Sequence, residues 1–454
     1  MPANDDRDPG RDPGRDRDGA TDRPGLQRRL GLPDAVVIGL GSMIGAGVFA
    51  AFTPAAAVAG PGLLVGLALA AAVAWANATS SAQLAAQYPS SGGTYVYGRE
   101  RLGPLWGFIA GWSFVVGKTA SCAAMALTAA TYALGGPAQG VRFVAIALVA
   151  ALTWVVVRGI TKTARLARVL LTVTLAALAI TALVIIVFTR DWQSPLTTDA
   201  SEATAAAGVV TAGGDPTAYG IVQSAGLLFF AFAGYARIAT LGEEVRDPAR
   251  TIPRAITRAL GMVIALYAVL ALLLLATIGA DGIAASPLPL LAAAQAADVS
   301  WVGGVLRVGA TVASLGALLG LMSGVGRTAF AMAREGDLPA PLAKVDQTHR
   351  VPAVAHLALA AAVVLLVAVT DLRHAIGFSS FGVLIYYAIA NLSAWTQDDA
   401  HRRWPRRLQL AGVAGCALLA VTLPIGSVLV GTALIAAGVI GRSAFGTAGG
   451  SAAA

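Results

Sequence analysis

Charged residues are scarce in this sequence. Asp, Glu, Lys and Arg together make up 12% of its 454 residues, whereas hydrophobic residues make up 57%. A soluble domain carries roughly 25% charged residues, and the mean hydropathy here is +0.72. This composition excludes an ordinary soluble protein and predicts an all-α polytopic membrane protein.

Residues that build redox, metal and catalytic sites are also few. The two cysteines, Cys122 and Cys416, lie in separate apolar spans, and the four histidines lack metal-ligand spacing. The sequence contains no P-loop, catalytic triad or HExxH motif. We therefore expect neither an enzyme nor an ATP-driven pump, and we expect no cofactor and no bound metal. The net charge of +8 does not indicate nucleic-acid binding, because no basic patch with interleaved aromatic residues occurs.

Long apolar runs make up most of the remaining sequence. Residues 1–30 are rich in Asp, Arg, Pro and Gly and are predicted to form a disordered tail. Residues 31–400 form the predicted core, with halves at about 34–189 and 219–397, and 401–454 add two spans and a short tail. A membrane-crossing helix needs about 20 apolar residues. The twelve predicted spans lie near 34–58, 62–86, 104–134, 141–158, 167–189, 219–242, 254–278, 302–333, 352–370, 375–397, 408–423 and 426–441.

The positive charges are distributed asymmetrically between the two sides of these spans. With the N-terminus inside, the cytoplasmic segments hold 26 of the 32 Lys and Arg residues and the outer segments hold four. Cytoplasmic loops of membrane proteins carry such an excess of Lys and Arg. We therefore predict a multi-pass protein of the cytoplasmic membrane, in contact with the lipid bilayer, with both termini in the cytoplasm.

A glycine-rich stretch interrupts the first span. It contains Gly39, Gly41, Gly45 and Gly47, and glycine costs about 1 kcal/mol relative to alanine inside a helix. An unwound segment within a membrane exposes amides that attract an anion and carbonyls that attract a cation. These groups fit the two charges of a zwitterionic small molecule such as an amino acid. The alternative is that the glycines serve close helix packing. The candidate ligand-binding residues of this break are Met43, Ile44, Gly45, Ala46 and Gly47.

A second break is predicted five spans later, at Ala233 and Gly234 in the sixth span. Because five is an odd number, the second copy crosses the membrane in the opposite sense. Paired interrupted helices at corresponding positions are typical of an inverted-repeat secondary transporter with a midplane binding site. The aromatic residues beside this break either pack in the core or close over a ligand. The candidate site residues are Phe230, Ala231, Phe232, Ala233 and Gly234.

Four motifs over residues 31–400 resemble the amino acid–polyamine–organocation superfamily. They are residues 41–49, 229–235, 243–253 and 326–339, and in motif they are similar to bacterial permeases of the cationic amino acid transporter type. The resemblance implies a five-plus-five inverted repeat with discontinuous helices 1 and 6, plus two C-terminal helices. Cationic relatives often carry a lysine and an acidic residue where this chain has Thr174 and Ala236.

The resemblance also implies roles for individual residues in substrate binding. The amides of Ala46 and Gly47 are expected to bind the substrate carboxylate, and Phe232 is expected to act as a gate. The carbonyls expected to bind the α-amine belong to Met43, Phe230, Ala231 and Ala233.

Lys118 lies about 13 residues into the third span, on the order of 20 Å from the inner surface and so near the midplane. No Asp or Glu falls in the apolar middle of a span. Intramembrane ionisable residues are functional candidates, and burial disfavours the charged form of a lysine. We predict that Lys118 couples transport to a proton by binding and releasing it. The alternatives are bonding to backbone carbonyls of neighbouring helices and pairing with an acidic group of the substrate.

Other charged and polar residues suggest a gate and a weaker cation site. Glu243 and Glu244 lie with Arg246, Arg250 and Arg254 at the cytoplasmic end of the sixth span, and they form either an exposed ion-pair cluster or, with Arg237, an inner gate. Arg237 either pairs with Glu244, as we expect, or faces the substrate. Thr311 and Ser314 share a face of the eighth span and are weak sodium-site candidates. Hydroxyls in apolar helices also often bond to their own backbone.

The sequence therefore predicts a secondary transporter that moves an amino acid or related amine by alternating access, with a proton as coupling ion. One alternative is an uncoupled exchanger or facilitator. A second is a membrane sensor that binds an amino acid without net flux.

Overall fold

The computed structural model describes residues 30–90, 92–159, 164–190, 192–193 and 217–450. These ranges are helical apart from turns, connecting segments and an isolated β-bridge between Leu30 and Val245. The α-helices are α1 (Leu32–Met43), α2 (Ala46–Ala50), α3 (Phe52–Ala59), α4 (Leu63–Gln87), α5 (Thr94–Leu102), α6 (Pro104–Leu134), α7 (Val141–Val157), α8 (Ala164–Phe188), α9 (Ala218–Phe232), α10 (Ala236–Ala239), α11 (Pro248–Ala285), α12 (Pro289–Ala296), α13 (Val302–Arg334), α14 (Ala353–Val369), α15 (Leu372–Trp395), α16 (Arg406–Thr422) and α17 (Ile425–Gly450).

Each predicted apolar span coincides with one or more of these helices. Within the described residues, nine helical segments are long and apolar enough to cross a membrane, and α7 and α14 are shorter apolar helices. The chain is therefore an all-helical polytopic membrane protein. The count of twelve crossings and the inverted repeat stay predictions.

Local signals in the sequence set several helix ends. Thr217 caps α9 by accepting a hydrogen bond from the amide of Gly220, and Asp371 caps α15 in the same way from His374. Gly135 ends α6 in the left-handed conformation, with φ of 80°. Gly279, with φ of 66°, kinks α11 where the seventh predicted span ends.

Both predicted interruptions are present, but they differ in geometry. Between α1 and α2, Ile44 (φ −83°, ψ 76°) and Gly45 (φ −134°, ψ −139°) leave helical geometry. Between α9 and α10, the chain tightens into a 3-10 turn over Ala233–Tyr235 and does not unwind. The first break therefore redirects the chain, whereas the second is a local narrowing of the helix.

The two breaks pack directly against each other. An ideal Cβ at Gly234 would lie 2.2 Å from the carbonyl oxygen of Ser42, and one at Gly47 would lie 2.5 Å from the Cα of Ala231. Because neither glycine has a side chain, the backbones of α1–α2 and α9–α10 can approach this closely. Beside this contact, the long helix α6 packs against both α13 and α15.

The predicted disordered tail, residues 1–30, lies outside the described residues except for Leu30. This residue is ordered: its amide donates to the carbonyl of Glu244 at 3.0 Å, and its carbonyl accepts from the amide of Arg246 at 2.9 Å. The bridge joins the start of α1 to the segment that follows α10.

Candidate functional site

Two glycines of the first break, Gly45 and Gly47, serve close helix packing. A Cβ at Gly45 would lie 2.7 Å from the Cβ of Ala317 on α13, and Gly47 meets Ala231 as described above. Gly41, on α1 and four residues before Gly45, has no atom within 4 Å of its Cβ position. The packing interpretation therefore applies at Gly45 and Gly47, while the carboxylate-binding roles of Ala46 and Gly47 and the ligand-binding role of Ile44 stay predictions.

This packing predicts a sharp contrast between two alanine substitutions. Gly47→Ala should lower the melting temperature of the detergent-purified protein, because overpacking against a backbone atom costs about 1–3 kcal/mol or more. Gly41→Ala should leave it unchanged or raise it, because the added methyl meets open space and alanine favours a helix by about 1 kcal/mol. Equal melting temperatures for the two variants would contradict the contact with Ala231.

Two carbonyls expected to bind the substrate amine lie within hydrogen-bond distance of one tyrosine hydroxyl. The buried Tyr267 of α11 donates its hydroxyl to the carbonyl of Met43 at 2.7 Å, and this hydroxyl also lies 3.2 Å from the carbonyl oxygen of Ala231. The Met43 carbonyl also accepts from the Gly45 amide at 3.0 Å. The Tyr267 hydroxyl thus links the end of α1 to α9.

The carbonyl of Ala233, at the second break, has two donors. The Nζ atom of Lys118 lies 3.2 Å from it, and the hydroxyl of Tyr387 of α15 lies at the same distance. Lys118 is 4% exposed. In this conformation Lys118 therefore bonds to a backbone carbonyl, which is one of the alternatives expected for it. That carbonyl, of Ala233, belongs to the predicted binding site.

Tyr267 and Tyr387 are site residues that sequence reasoning missed. The available signal was a tyrosine within an apolar span, since a buried hydroxyl normally requires a hydrogen-bond partner. Nothing in the local sequence identifies which carbonyl provides it.

Tyr267→Phe should impair substrate retention and lower stability together. The variant leaves the Ala231 and Met43 carbonyls without their shared donor, and losing a buried partner costs about 1–3 kcal/mol. The matched control is Tyr132→Phe, because Tyr132 donates to the carbonyl of Phe49, just past the first break, at 3.1 Å. We expect similar falls in melting temperature for both variants, with weakened binding of labelled substrate confined to Tyr267→Phe. Unchanged binding in Tyr267→Phe would show that the tyrosine acts only in packing.

The aromatic residues of α9 are enclosed in this conformation. Phe232 is fully buried, with its ring centroid 5.2 Å from that of Tyr267, and Phe230 is buried as well. Both lie in the core that surrounds the breaks. The gating role of Phe232 stays a prediction.

Two cavities reach the breaks from the predicted cytoplasmic side. The larger, of about 610 Å³, is called the vestibule here. Its mid-helix lining comprises Phe114, Lys118, Ala233, Gly234 and Ala236. The second, of about 510 Å³, is called the side cavity, and it is lined by Gly41, Ser42, Ile44, Thr174 and Glu244 among others. Arg237 and Arg327 border both cavities.

The predicted gate residues lie together, but their pairing differs from expectation. Arg237 donates to the hydroxyl of Thr240 at 3.0 Å, whereas Glu244 lies 3.9 Å from a guanidinium nitrogen of Arg327 on α13. The expected Arg237–Glu244 pair is thus replaced by Arg327–Glu244, because α13 brings Arg327 to the end of α10. Glu243 lines the vestibule.

A buried carboxylate, that of Asp337, lies beyond the vestibule at the end of α13 and gathers several donors around it. Asp337 accepts from the Tyr95 hydroxyl at 2.8 Å, from Arg99 at 3.0 Å and from Arg442 at 2.7 Å. The Asp337 side chain is 3% exposed. Burial and the adjacent carboxylate raise the pKa of Tyr95, so the hydroxyl stays protonated and donates. This group, the Asp337 cluster, ties α5 and α17 to the end of α13.

The weak sodium-site candidates are on α13. The hydroxyls of Thr311 and Ser314 are buried and have no hydrogen-bond partner within the described part of the chain. Thr174, on the facing helix α8, donates to the carbonyl of Leu170 in its own helix. The described residues hold no group of three or more His, Cys, Asp or Glu side chains suited to a metal ion, and the sodium site stays a prediction.

Sequence comparison identifies the family. A family model described as amino acid permease matches residues 30–445. The chain belongs to the amino acid permease family. The resemblance to the amino acid–polyamine–organocation superfamily is thereby confirmed, and the permease is a transporter by family.

Three relatives illustrate how the permease is related to known proteins. An uncharacterised transporter of Mycobacterium tuberculosis is 55% identical over 91% of this chain and 90% of its own length. A branched-chain amino acid permease of Bacillus subtilis is 26% identical, over 86% of this chain and 84% of its own. The chloroplastic cationic amino acid transporter 7 of Arabidopsis thaliana is 26% identical, over 81% of this chain and 65% of its own.

Proposed function

We propose that this permease is a secondary active transporter that moves an amino acid or related amine across the cytoplasmic membrane and couples its movement to a proton. Family membership and relatives named for branched-chain and cationic amino acids support an amino acid substrate. The observation that carries the proposal is the contact between Lys118 and the Ala233 carbonyl. It joins an intramembrane ionisable group to the break where a substrate would bind.

The proposed architecture has twelve crossings, a five-plus-five inverted repeat and both termini in the cytoplasm. Its support is the position of the two interruptions, between α1 and α2 and between α9 and α10, five predicted spans apart. Broken helices at matching positions of two halves favour a binding site at the midplane. Its ligands would be the amides of Ala46 and Gly47 and the break carbonyls.

Alternating access requires one side to be closed while the other is open. On the predicted outer side, Arg307 of α13 donates to the carbonyls of Tyr132 and Ala133 at the end of α6, at 3.1 and 2.7 Å. The vestibule and side cavity lie on the predicted inner side. We interpret this arrangement as an inward-facing conformation, with Arg327–Glu244 among the contacts that change when the inner side closes.

The test is uptake of a panel of labelled amino acids into proteoliposomes, with and without imposed pH and sodium gradients. Accumulation driven by the pH gradient, in vesicles without internal substrate, is the expected result. Uptake only against internal substrate, or only down its own gradient, would favour the exchanger or facilitator. Binding without any flux would favour the sensor, and accumulation driven by sodium would direct attention to Thr311 and Ser314.

A further inference from the structure

The charge environment of Lys118 indicates which substrates the permease selects. Lys118 lies in the vestibule wall, almost fully buried, with its Nζ atom on the Ala233 carbonyl. Among the described residues, no carboxylate lies within 4.0 Å of this nitrogen, so its partners are a backbone carbonyl and whatever enters the vestibule. An ammonium group in such a site is stabilised by an anion that reaches it.

The vestibule as a whole carries an excess of positive charge. Its lining includes three carboxylates, those of Glu100, Glu243 and Glu335, and all three lie on helix ends or in connecting segments. Glu335 is engaged with Arg99 at 3.2 Å. The cations that line it are Arg99, Lys118, Arg237, Arg327, Arg334 and Arg350. Arg99 is paired with Glu335 and Asp337, and Arg327 with Glu244, whereas the other four have no carboxylate within 4.0 Å among the described residues. In a narrow cavity, such an excess of one sign concentrates ions of the opposite sign.

Two of the four carbonyls expected to bind an ammonium group, those of Met43 and Ala233, are already in use. A carbonyl oxygen has two lone pairs, and Ala233 accepts from both Lys118 and Tyr387 while Met43 accepts from Tyr267 and a backbone amide. A cationic side chain entering beside Lys118 would therefore meet a like charge and occupied acceptors. An anionic side chain would meet an ammonium group that has no carboxylate partner.

We propose that the permease selects acidic amino acids, with the side-chain carboxylate of the substrate paired to the Lys118 ammonium group. The inference rests on the proposed function and specifies the substrate class of that same site. This selectivity distinguishes the permease from relatives named for cationic amino acids. The charged vestibule residues on α6 and α10 are Lys118 and Arg237, and both are positive.

Isosteric acid–amide pairs test the selection. The purified permease is reconstituted, and uptake of labelled L-glutamate is competed at pH 7 with unlabelled L-glutamate, L-aspartate, L-glutamine, L-asparagine, L-lysine and L-arginine. We expect each acid to compete at concentrations at least about tenfold lower than its amide, which differs by one charge at nearly equal size. The two cationic amino acids should not compete.

Variants of Lys118 locate the effect. Lys118→Met keeps the chain length without the charge and should bring glutamate and glutamine within about twofold of each other, whereas Lys118→Arg should retain the preference for the acid. Thermal stabilisation of the wild-type protein in detergent by each amino acid provides a second measurement, which does not depend on either variant folding. Stabilisation by acids at lower concentrations than by amides supports the proposal.

The outcomes separate this inference from the function on which it rests. Equal or better competition by amides, or any competition by lysine or arginine, would overturn the acidic selectivity while leaving an amino acid transporter. An unchanged acid preference in Lys118→Met would remove Lys118 from the site. Failure of every amino acid in the uptake panel to bind or be transported would overturn the proposed function itself.

Discussion

Lys118→Met and Lys118→Ala should abolish accumulation driven by a pH gradient while leaving counterflow exchange of the neutral amino acid L-glutamine intact. With one proton per substrate, one pH unit supports about a tenfold concentration ratio, and the variants should reach a ratio of about 1 under the same gradient. The physical reason is that a substrate without an acidic side chain can bind and exchange without the Lys118 ammonium group, whereas coupling needs a group that takes up and releases the proton. Methionine fits the position because the Ala233 carbonyl keeps its bond from Tyr387.

The control is Cys122→Ala, one turn away on the same face of α6 and also buried. It should keep both accumulation and exchange. The measurement is the internal-to-external ratio of labelled substrate in vesicles, with counterflow measured in the same preparations. Wild-type accumulation in both Lys118 variants would rule out the coupling role.

Asp337→Ala should destabilise the protein by about 3 kcal/mol, because it removes a buried carboxylate that three partly or fully buried donors share. Arg442 would lose its carboxylate, Arg99 would keep only the exposed Glu335, and the Tyr95 hydroxyl would lose its acceptor. The expected result is a large fall in melting temperature of the detergent-purified protein.

Glu335→Ala is the matched control, since Glu335 binds the same Arg99 from an exposed position. Its side chain is 54% exposed, against 3% for Asp337. Exposed pairs contribute about 0–1 kcal/mol, and that small effect should shrink further in high salt. A larger loss in Glu335→Ala than in Asp337→Ala would contradict the assignment of Asp337 as the centre of the cluster.

Helices and breaks could be predicted because their causes are local. An apolar run of about 20 residues needs a helix to satisfy its backbone in a membrane, so the predicted spans coincide with helices. The glycines from Gly39 to Gly47 indicated the first interruption, because the cost of glycine inside a helix is also a local property. The second differed in detail, since Ala233–Tyr235 form a 3-10 turn and not an unwound segment.

The partners within the candidate site could not be predicted because they are distant in sequence. Tyr267 is 224 residues from Met43, and Tyr387 is 154 residues from Ala233. Sequence placed Lys118 near the midplane and Ala233 at a break, but only the packing of α15 against both α6 and α9 brings the two together. The Arg327–Glu244 pair was missed similarly, because the expected pairing considered residues of one helix alone.

The bridge between Leu30 and the segment after α10 has a mechanical consequence. It joins the start of α1 to the segment after α10, the predicted inner halves of the two interrupted elements, through the Leu30 bonds to Glu244 and Arg246. The Arg327–Glu244 pair links this segment to α13. Under the proposed alternating access, the N-terminal segment is attached to a part of the protein that moves, so a tether applied there should pull on the predicted inner gate, Arg237, Glu243 and Glu244.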